Sequence, residues 1–148
     1  MNEGDAFPQF SLLNQDGETV TQAALKGQKS IVYFYPKDDT SGCTAEACEF
    51  RDEMPQFVGA QVFGVSPDSV KSHAKFRDKY QLNFTLLADT DQALCKALGV
   101  WVEKSMYGRK YMGVERSTFL VDENGVIVKV WRKVKPQGHA QEVLAALK

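Results

Sequence analysis

Hydrophobic positions come in short dense runs separated by polar stretches that carry single Gly or Pro residues, and the form of each run predicts an element. SIVYFYP, residues 30–36, is a continuous apolar and aromatic run stopped by Pro36, the pattern of a strand buried on both faces and central in its sheet. From Thr44 to about Phe57 the residues read as a helix. QVFGVSPD, 61–68, repeats the strand pattern, with Ser66 as N-cap and Pro67 as first position of a mixed-charge helix over about 67–80. FTLLAD, 84–89, leads into TDQALCKALG, where Thr90 or Asp91 can cap and Gly99 can end a short helix carrying Leu94 and Leu98. RSTFLVDENGVIVKVW, 116–131, differs, because two alternating runs flank Asn124 and Gly125, a strong hairpin signal. A last amphipathic helix runs from about Gln137 to Leu147, with Val143, Leu144 and Leu147 as its apolar face.

The resulting order, β-α-β-α-β-α-β-β-α, predicts an α/β fold with a central mixed β-sheet and helices on both faces. Its parallel strands give way to antiparallel ones, as in thioredoxin-like folds. With 148 residues, 43% of them hydrophobic and 25% charged, and with no linker or repeat, residues 1–148 read as a single domain. Eighteen Lys and Arg against nineteen Asp and Glu leave a net charge of -1. That balance attracts neither nucleic acid nor an anionic membrane, and it suits a small neutral substrate. MNEGDAFPQF lacks the basic head and apolar run of a secretion signal, and no apolar stretch approaches bilayer length, so a cytoplasmic protein is expected.

Three cysteines, an odd count in a chain large enough to stand without disulfide staples, point to reactive or buried thiols. Two of them lie five positions apart in DDTSGCTAEACEFRD, residues 38–52, a spacing wrong for the Cys-x-x-Cys of zinc sites and dithiol oxidoreductases. Five residues along an α-helix are about 7.5 Å of rise and about 140° of rotation, which separates the Cα atoms by roughly 8.6 Å. A disulfide needs less than about 7 Å. Cys43 falls in the first turn of the predicted helix, where free backbone N–H groups and the positive end of the dipole favour a thiolate. An ordinary thiol, with pKa about 8.5, is only a few per cent ionised at neutral pH. A helix end contributes about 1 kcal/mol of the roughly 3 kcal/mol needed to reverse that, so an Arg or Lys from elsewhere in the chain is required.

YPKDDTSGCTAEACEFRD resembles the active-site segment of peroxiredoxins, whose Pro-x-x-x-Thr-x-x-Cys pattern is met by Pro36, Thr40 and Cys43. The second Cys, the block GVWVEKSMYGRKYMGVERSTFLVD and the overall length resemble the bacterioferritin comigratory protein, or Q-type, branch, and the likeness covers nearly the whole chain. The resemblance implies an atypical two-cysteine thiol peroxidase with no cofactor and no metal. Cys43 would attack a peroxide oxygen and become a sulfenic acid, and Cys48 would resolve it as an intramolecular disulfide. Thioredoxin or a similar dithiol would then reduce that disulfide. Hydrogen peroxide and alkyl hydroperoxides are the implied substrates, and a monomer is the implied state. Thr40 would hydrogen-bond to the thiolate and the incoming peroxide, and Pro36 would shield the sulfenic acid from water. Arg116 would supply the missing positive charge and bind the peroxide oxygen, with Glu46 orienting it. Ser41 departs from the pattern, since related sequences often have Pro there, and a more mobile loop before Cys43 is expected.

Other candidates read as structural. Cys95, beside Leu94 and within a turn of Leu98, is expected to pack in the core. His73 shares a face with Val70 and Tyr80 and is expected to cover the core edge, while His139 is expected to be solvated at a helix start. Lys104, Arg109 and Lys110 read as a solvated loop, and Tyr33, Phe34 and Tyr35 as strand core. A thioredoxin-like disulfide reductase would use the same fold but normally needs Cys-x-x-Cys. A metal module built from two thiols and two histidines lacks any paired ligand spacing.

Overall fold

The structure, a computed structural model, describes residues 2–147. An N-terminal hairpin, β1 (Ser11–Asn14) and β2 (Thr19–Thr21), precedes three strand–helix units. These are β3 (Lys29–Phe34) with α1 (Ser41–Glu53), β4 (Ala60–Ser66) with α2 (Val70–Tyr80), and β5 (Thr85–Ala88) with α3 (Ala93–Ala97). A second hairpin, β6 (Trp101–Met106) and β7 (Arg109–Val114), stands apart from the main sheet. The strands β8 (Ser117–Val121) and β9 (Ile127–Trp131) and the helix α4 (His139–Ala146) follow. The main sheet has the order β2-β1-β5-β4-β3-β8-β9. β3, β4 and β5 pair in parallel and the other neighbours antiparallel, which is the mixed thioredoxin-like sheet the pattern predicts.

Alternation along β3 and just beyond it sorts the core into two layers. Ile31, Tyr33 and Tyr35 point into a cluster with Ala47 and Phe50 of α1, Phe76 of α2 and Val143 of α4, whereas Val32 and Phe34 meet Leu94, Cys95 and Leu98 on the other side. Helices therefore cover both faces. Tyr33 stacks on Phe50 with ring centroids 4.7 Å apart, and Gly64, opposite it on β4, makes this possible. A Cβ at position 64 would come within 2.9 Å of the Tyr33 ring, a distance side chains do not tolerate.

Several local expectations need correction. Ser69, not Ser66, caps α2, accepting the Ser72 N–H at 3.1 Å, and Pro67 lies before the helix. Ser66 ends β4 and donates its hydroxyl to Asp68 instead. At α3 the buried Asp89 accepts the N–H groups of Leu94 and Cys95, so the cap comes from the end of the preceding strand rather than from Thr90, and Asp91 contributes one bond to Ala93. The loop expected around Lys104, Arg109 and Lys110 is the β6–β7 hairpin, with its turn at Tyr107 and Gly108, both of positive φ. Among the described residues, no helix is long and apolar enough to cross a membrane.

Candidate active site

β3 ends at Phe34 and the chain turns through residues 35–40 before α1 begins. Cys43 is the third residue of α1 and only 1% exposed, which places it in the first helical turn, whose N–H groups lack acceptors within the helix. The Thr40 carbonyl accepts the Thr44 N–H at 2.8 Å and starts the helix. The Thr40 hydroxyl, expected on Cys43, instead donates to the Lys37 carbonyl at 2.9 Å, which closes the turn and leaves its oxygen lone pairs as acceptors. Pro36, half-buried, stands between the end of β3 and this turn. Ser41 is the first residue of α1.

The cation brought to Cys43 is Arg116. Antiparallel pairing of β3 with β8 sets Phe34 opposite Ser117, so the residue before Ser117 falls beside the chain leaving β3. Arg116 Nη2 lies 3.3 Å from Cys43 Sγ, and its Nη1 donates to Glu46 Oε1 at 2.7 Å. Glu46 is one turn of α1 past Cys43, so both face the same guanidinium. Gly42 leaves room for it, since a Cβ there would sit 3.3 Å from Arg116 Nη2 and 3.3 Å from Pro136. Burial works against the Arg116 charge, but Glu46 and Cys43 outweigh it and hold the guanidinium above its ordinary pKa. Burial raises Glu46 to about 7, with Arg116 pulling the other way. Its second oxygen, Oε2, has no hydrogen-bond partner among the described residues.

Cys48 lies further along the same unbroken helix, half-buried, and both thiols are free. Cys95 is fully buried on the other side of the sheet, where burial first and then Asp89 push its pKa well up, as suits a packing residue. Lys104, expected in a solvated loop, is not fully solvated. It is half-buried on β6 against Gly113, and burial together with the Arg116 charge lowers its pKa. Both histidines also depart from expectation. His73 is fully buried between Asp38 and the Leu87 carbonyl, and His139 is buried with Nε2 2.7 Å from the Thr118 hydroxyl. Asp38, Leu87 and Thr118 lie far in sequence from the histidines they meet, so no local pattern could reveal them, and only Glu142 Oε1, 2.9 Å from His139 Nδ1, is a near neighbour.

A free thiol at a helix start, facing an arginine on a thioredoxin-like sheet, describes a thiol peroxidase. The sequence profile of the AhpC/TSA family matches residues 3–130. The putative peroxiredoxin Bcp of Coxiella burnetii is 53% identical over 97% of both chains, and the peroxiredoxin Bcp of Bacillus subtilis 48% identical over 98% of this chain and 94% of its own. Among solved structures, a cysteine-to-serine variant of Xylella fastidiosa PrxQ superposes with a TM-score of 0.94 at 44% identity, covering 99% of this chain and 95% of that one. The Xanthomonas campestris bacterioferritin comigratory protein, solved in work on its alkyl peroxide reduction activity, gives 0.89 at 48% identity over 93% and 89%. The chain belongs to the AhpC/TSA family, as a peroxiredoxin of the Bcp or Q type, a thiol peroxidase that uses a peroxide and a thiol reductant.

Proposed function

We propose that this chain, acting as a single cytoplasmic domain and a monomer, reduces hydrogen peroxide and alkyl hydroperoxides through Cys43 and Cys48. The Cys43 thiolate attacks one peroxide oxygen. An S–O bond forms, the O–O bond breaks, and the departing oxygen takes a proton and leaves as alcohol or water. Cys48 then attacks the sulfenic sulfur, forming the Cys43–Cys48 disulfide and releasing water. Thioredoxin or a similar dithiol returns both thiols by exchange.

The observation that carries this reading is the 3.3 Å approach of Arg116 to Cys43. The guanidinium stabilises the thiolate, and its fork can also donate to the oxygen that gains charge as the O–O bond stretches. Glu46 fixes the fork through its 2.7 Å contact. Thr40, its own hydrogen held by Lys37, offers a lone pair to the peroxide O–H, and Pro36 screens the sulfenic acid from bulk water. Cys48 cannot reach Cys43 while α1 is intact, because five helical residues keep the Cα atoms roughly 8.6 Å apart. The helix must open between the two steps.

A coupled assay with thioredoxin, thioredoxin reductase and several hydroperoxides tests the reading. Cys43→Ser is expected to lose all turnover, and peptide mapping of peroxide-treated protein to show Cys43 linked to Cys48. Activity in Cys43→Ser, or a Cys43–Cys95 link, contradicts it.

A further inference from the structure

Two consecutive aspartates fasten the turn between β3 and α1 to α2. Asp38 is buried. Its Oδ1 accepts the Tyr35 hydroxyl at 2.6 Å, and its Oδ2 accepts the Ser72 hydroxyl at 2.8 Å and meets His73 Nδ1 at 2.6 Å. Its backbone N–H donates to Asp68 Oδ2 at 2.8 Å. Asp39 takes a left-handed backbone, φ 58°, which Asp tolerates better than most residues, and its carboxylate accepts Lys79 Nζ and the Tyr80 hydroxyl. Residues 72 and 73 stand seven positions before 79 and 80, about two helical turns, so one face of α2 holds both aspartates.

The deepest of these contacts is constrained by protons. His73 Nε2 lies 2.9 Å from the Leu87 carbonyl, which only accepts, so Nε2 carries a hydrogen. The 2.6 Å gap between Nδ1 and Asp38 Oδ2 then requires one shared proton, on the imidazole or on the carboxyl. Removing either partner leaves the other polar and sealed from water. Asp38, Asp68 and His73 place ligand atoms within 4.8 Å of one another, but N–H and O–H donors already occupy the carboxylate oxygens at their centre.

Resting on the reading of Cys43 as the thiol that meets peroxide, we infer that Asp38 and His73 are a positioning pair for the peroxide step. They touch neither sulfur nor guanidinium. They hold the turn at 38, two residues before Thr40, whose carbonyl sets where α1 begins and so where Cys43 stands under Arg116. The pair acts on the folded helix only, since disulfide formation needs α1 open. Its loss therefore slows the first chemical step and spares the second.

Quench-flow on the reduced full-length protein separates the two steps, following sulfenic acid and disulfide by mass spectrometry after mixing with hydrogen peroxide. Asp38→Ala is expected to lower the second-order constant with peroxide by about tenfold or more, a misplacement effect, with disulfide formation no slower than in the parent. Asp38→Asn is the rescue. Its Nδ2–H groups can donate to His73 Nδ1 and to the Ser72 oxygen while its Oδ1 still accepts from Tyr35, so the peroxide constant should return to within about twofold of the parent's. If Asp38→Ala does not fold, His73→Leu, which leaves Asp38 its two hydroxyl donors, carries the same expectation. A folded Asp38→Ala or His73→Leu with the parental peroxide constant overturns the proposal, as does an equal fall in both steps or a failed rescue. Cys43→Ser in the same series keeps the two readings apart. If it still consumes peroxide, the assignment of Cys43 is wrong; if it is inactive while Asp38→Ala is normal, only the positioning role is wrong.

Discussion

Arg116 comes within 3.3 Å of Cys43 Sγ although 73 positions separate them. The meeting is a product of sheet register, because β8 runs antiparallel to β3 and starts where β3 ends. A helix start alone supplies about 1 kcal/mol toward an ionised thiol, so on the proposed reading Cys43 needs this long-range partner.

Arg116→Met removes the charge and the paired donors from that contact. The second-order rate with peroxide is expected to fall by about 10²- to 10³-fold, the range for loss of a donor aimed at developing negative charge. Iodoacetamide should also alkylate Cys43 more slowly at neutral pH. Parental rates by stopped-flow would place the essential cation elsewhere, with Lys104 the first to substitute.

Gly42→Ala tests the fit of the guanidinium without touching its charge. The new Cβ would lie 3.3 Å from Arg116 Nη2 and from Pro136, tighter than most such contacts, so the side chain has to give by a few tenths of an ångström. A fall of roughly severalfold in the peroxide rate is expected, with little change in melting temperature. An unchanged rate would mean that the fork tolerates the shift.

Glu46 makes stability depend on pH. Its folded pKa, about 7, stands above the ordinary 4.5, with burial as the leading cause. The folded state therefore binds the proton more tightly than the unfolded chain. Its favourable contribution is complete below about 4.5 and is lost as pH rises through about 7. Glu46→Gln cannot titrate. The difference in unfolding free energy between variant and parent, from urea melts at several pH values, should move in the variant's favour across that window, by at most about 1.4 kcal/mol per pH unit. A flat difference would show that Glu46 keeps its charge in the fold.

Cys95→Ser should retain turnover to within about twofold, because position 95 lies on the opposite side of the sheet and the hydroxyl can use the partner that now serves the thiol, Asp89. A collapse in the thioredoxin-coupled assay would make Cys95 part of the cycle.

How much of this was legible in the sequence follows from the range of the interactions. The buried run 30–36 and the Asn124–Gly125 hairpin could be read because strand burial and turn chemistry are local. The cap of α2 lies three residues beyond the one the sequence suggests, since Ser66 and Ser69 both precede a plausible first turn and only tertiary placement of Asp68 decides between them. Cys43, Thr40 and Pro36 form a compact motif, whereas Arg116 has no local mark and only the family resemblance points to it. The local sequence places His73 and His139 at the periphery, yet Asp38 in one case and Thr118 in the other make them interior hydrogen-bonding residues. Lys104 reads as solvated because β6 and β7 give no strong strand pattern, although their hairpin half-buries it against Gly113.

Hydrogen exchange over α1, before and after one equivalent of hydrogen peroxide, tests most directly whether the five-residue spacing acts as a switch. In the reduced protein Cys43 and Cys48 share an intact helix, Ser41–Glu53, and their separation forbids a bond. Disulfide formation has to break several of its backbone hydrogen bonds, at about 1 kcal/mol net each. The expected result is protection across residues 41–53 in the reduced state and its loss over the first turns once the Cys43–Cys48 bond has formed, with the β-sheet unchanged. Native protection of α1 in the oxidised protein would contradict the account.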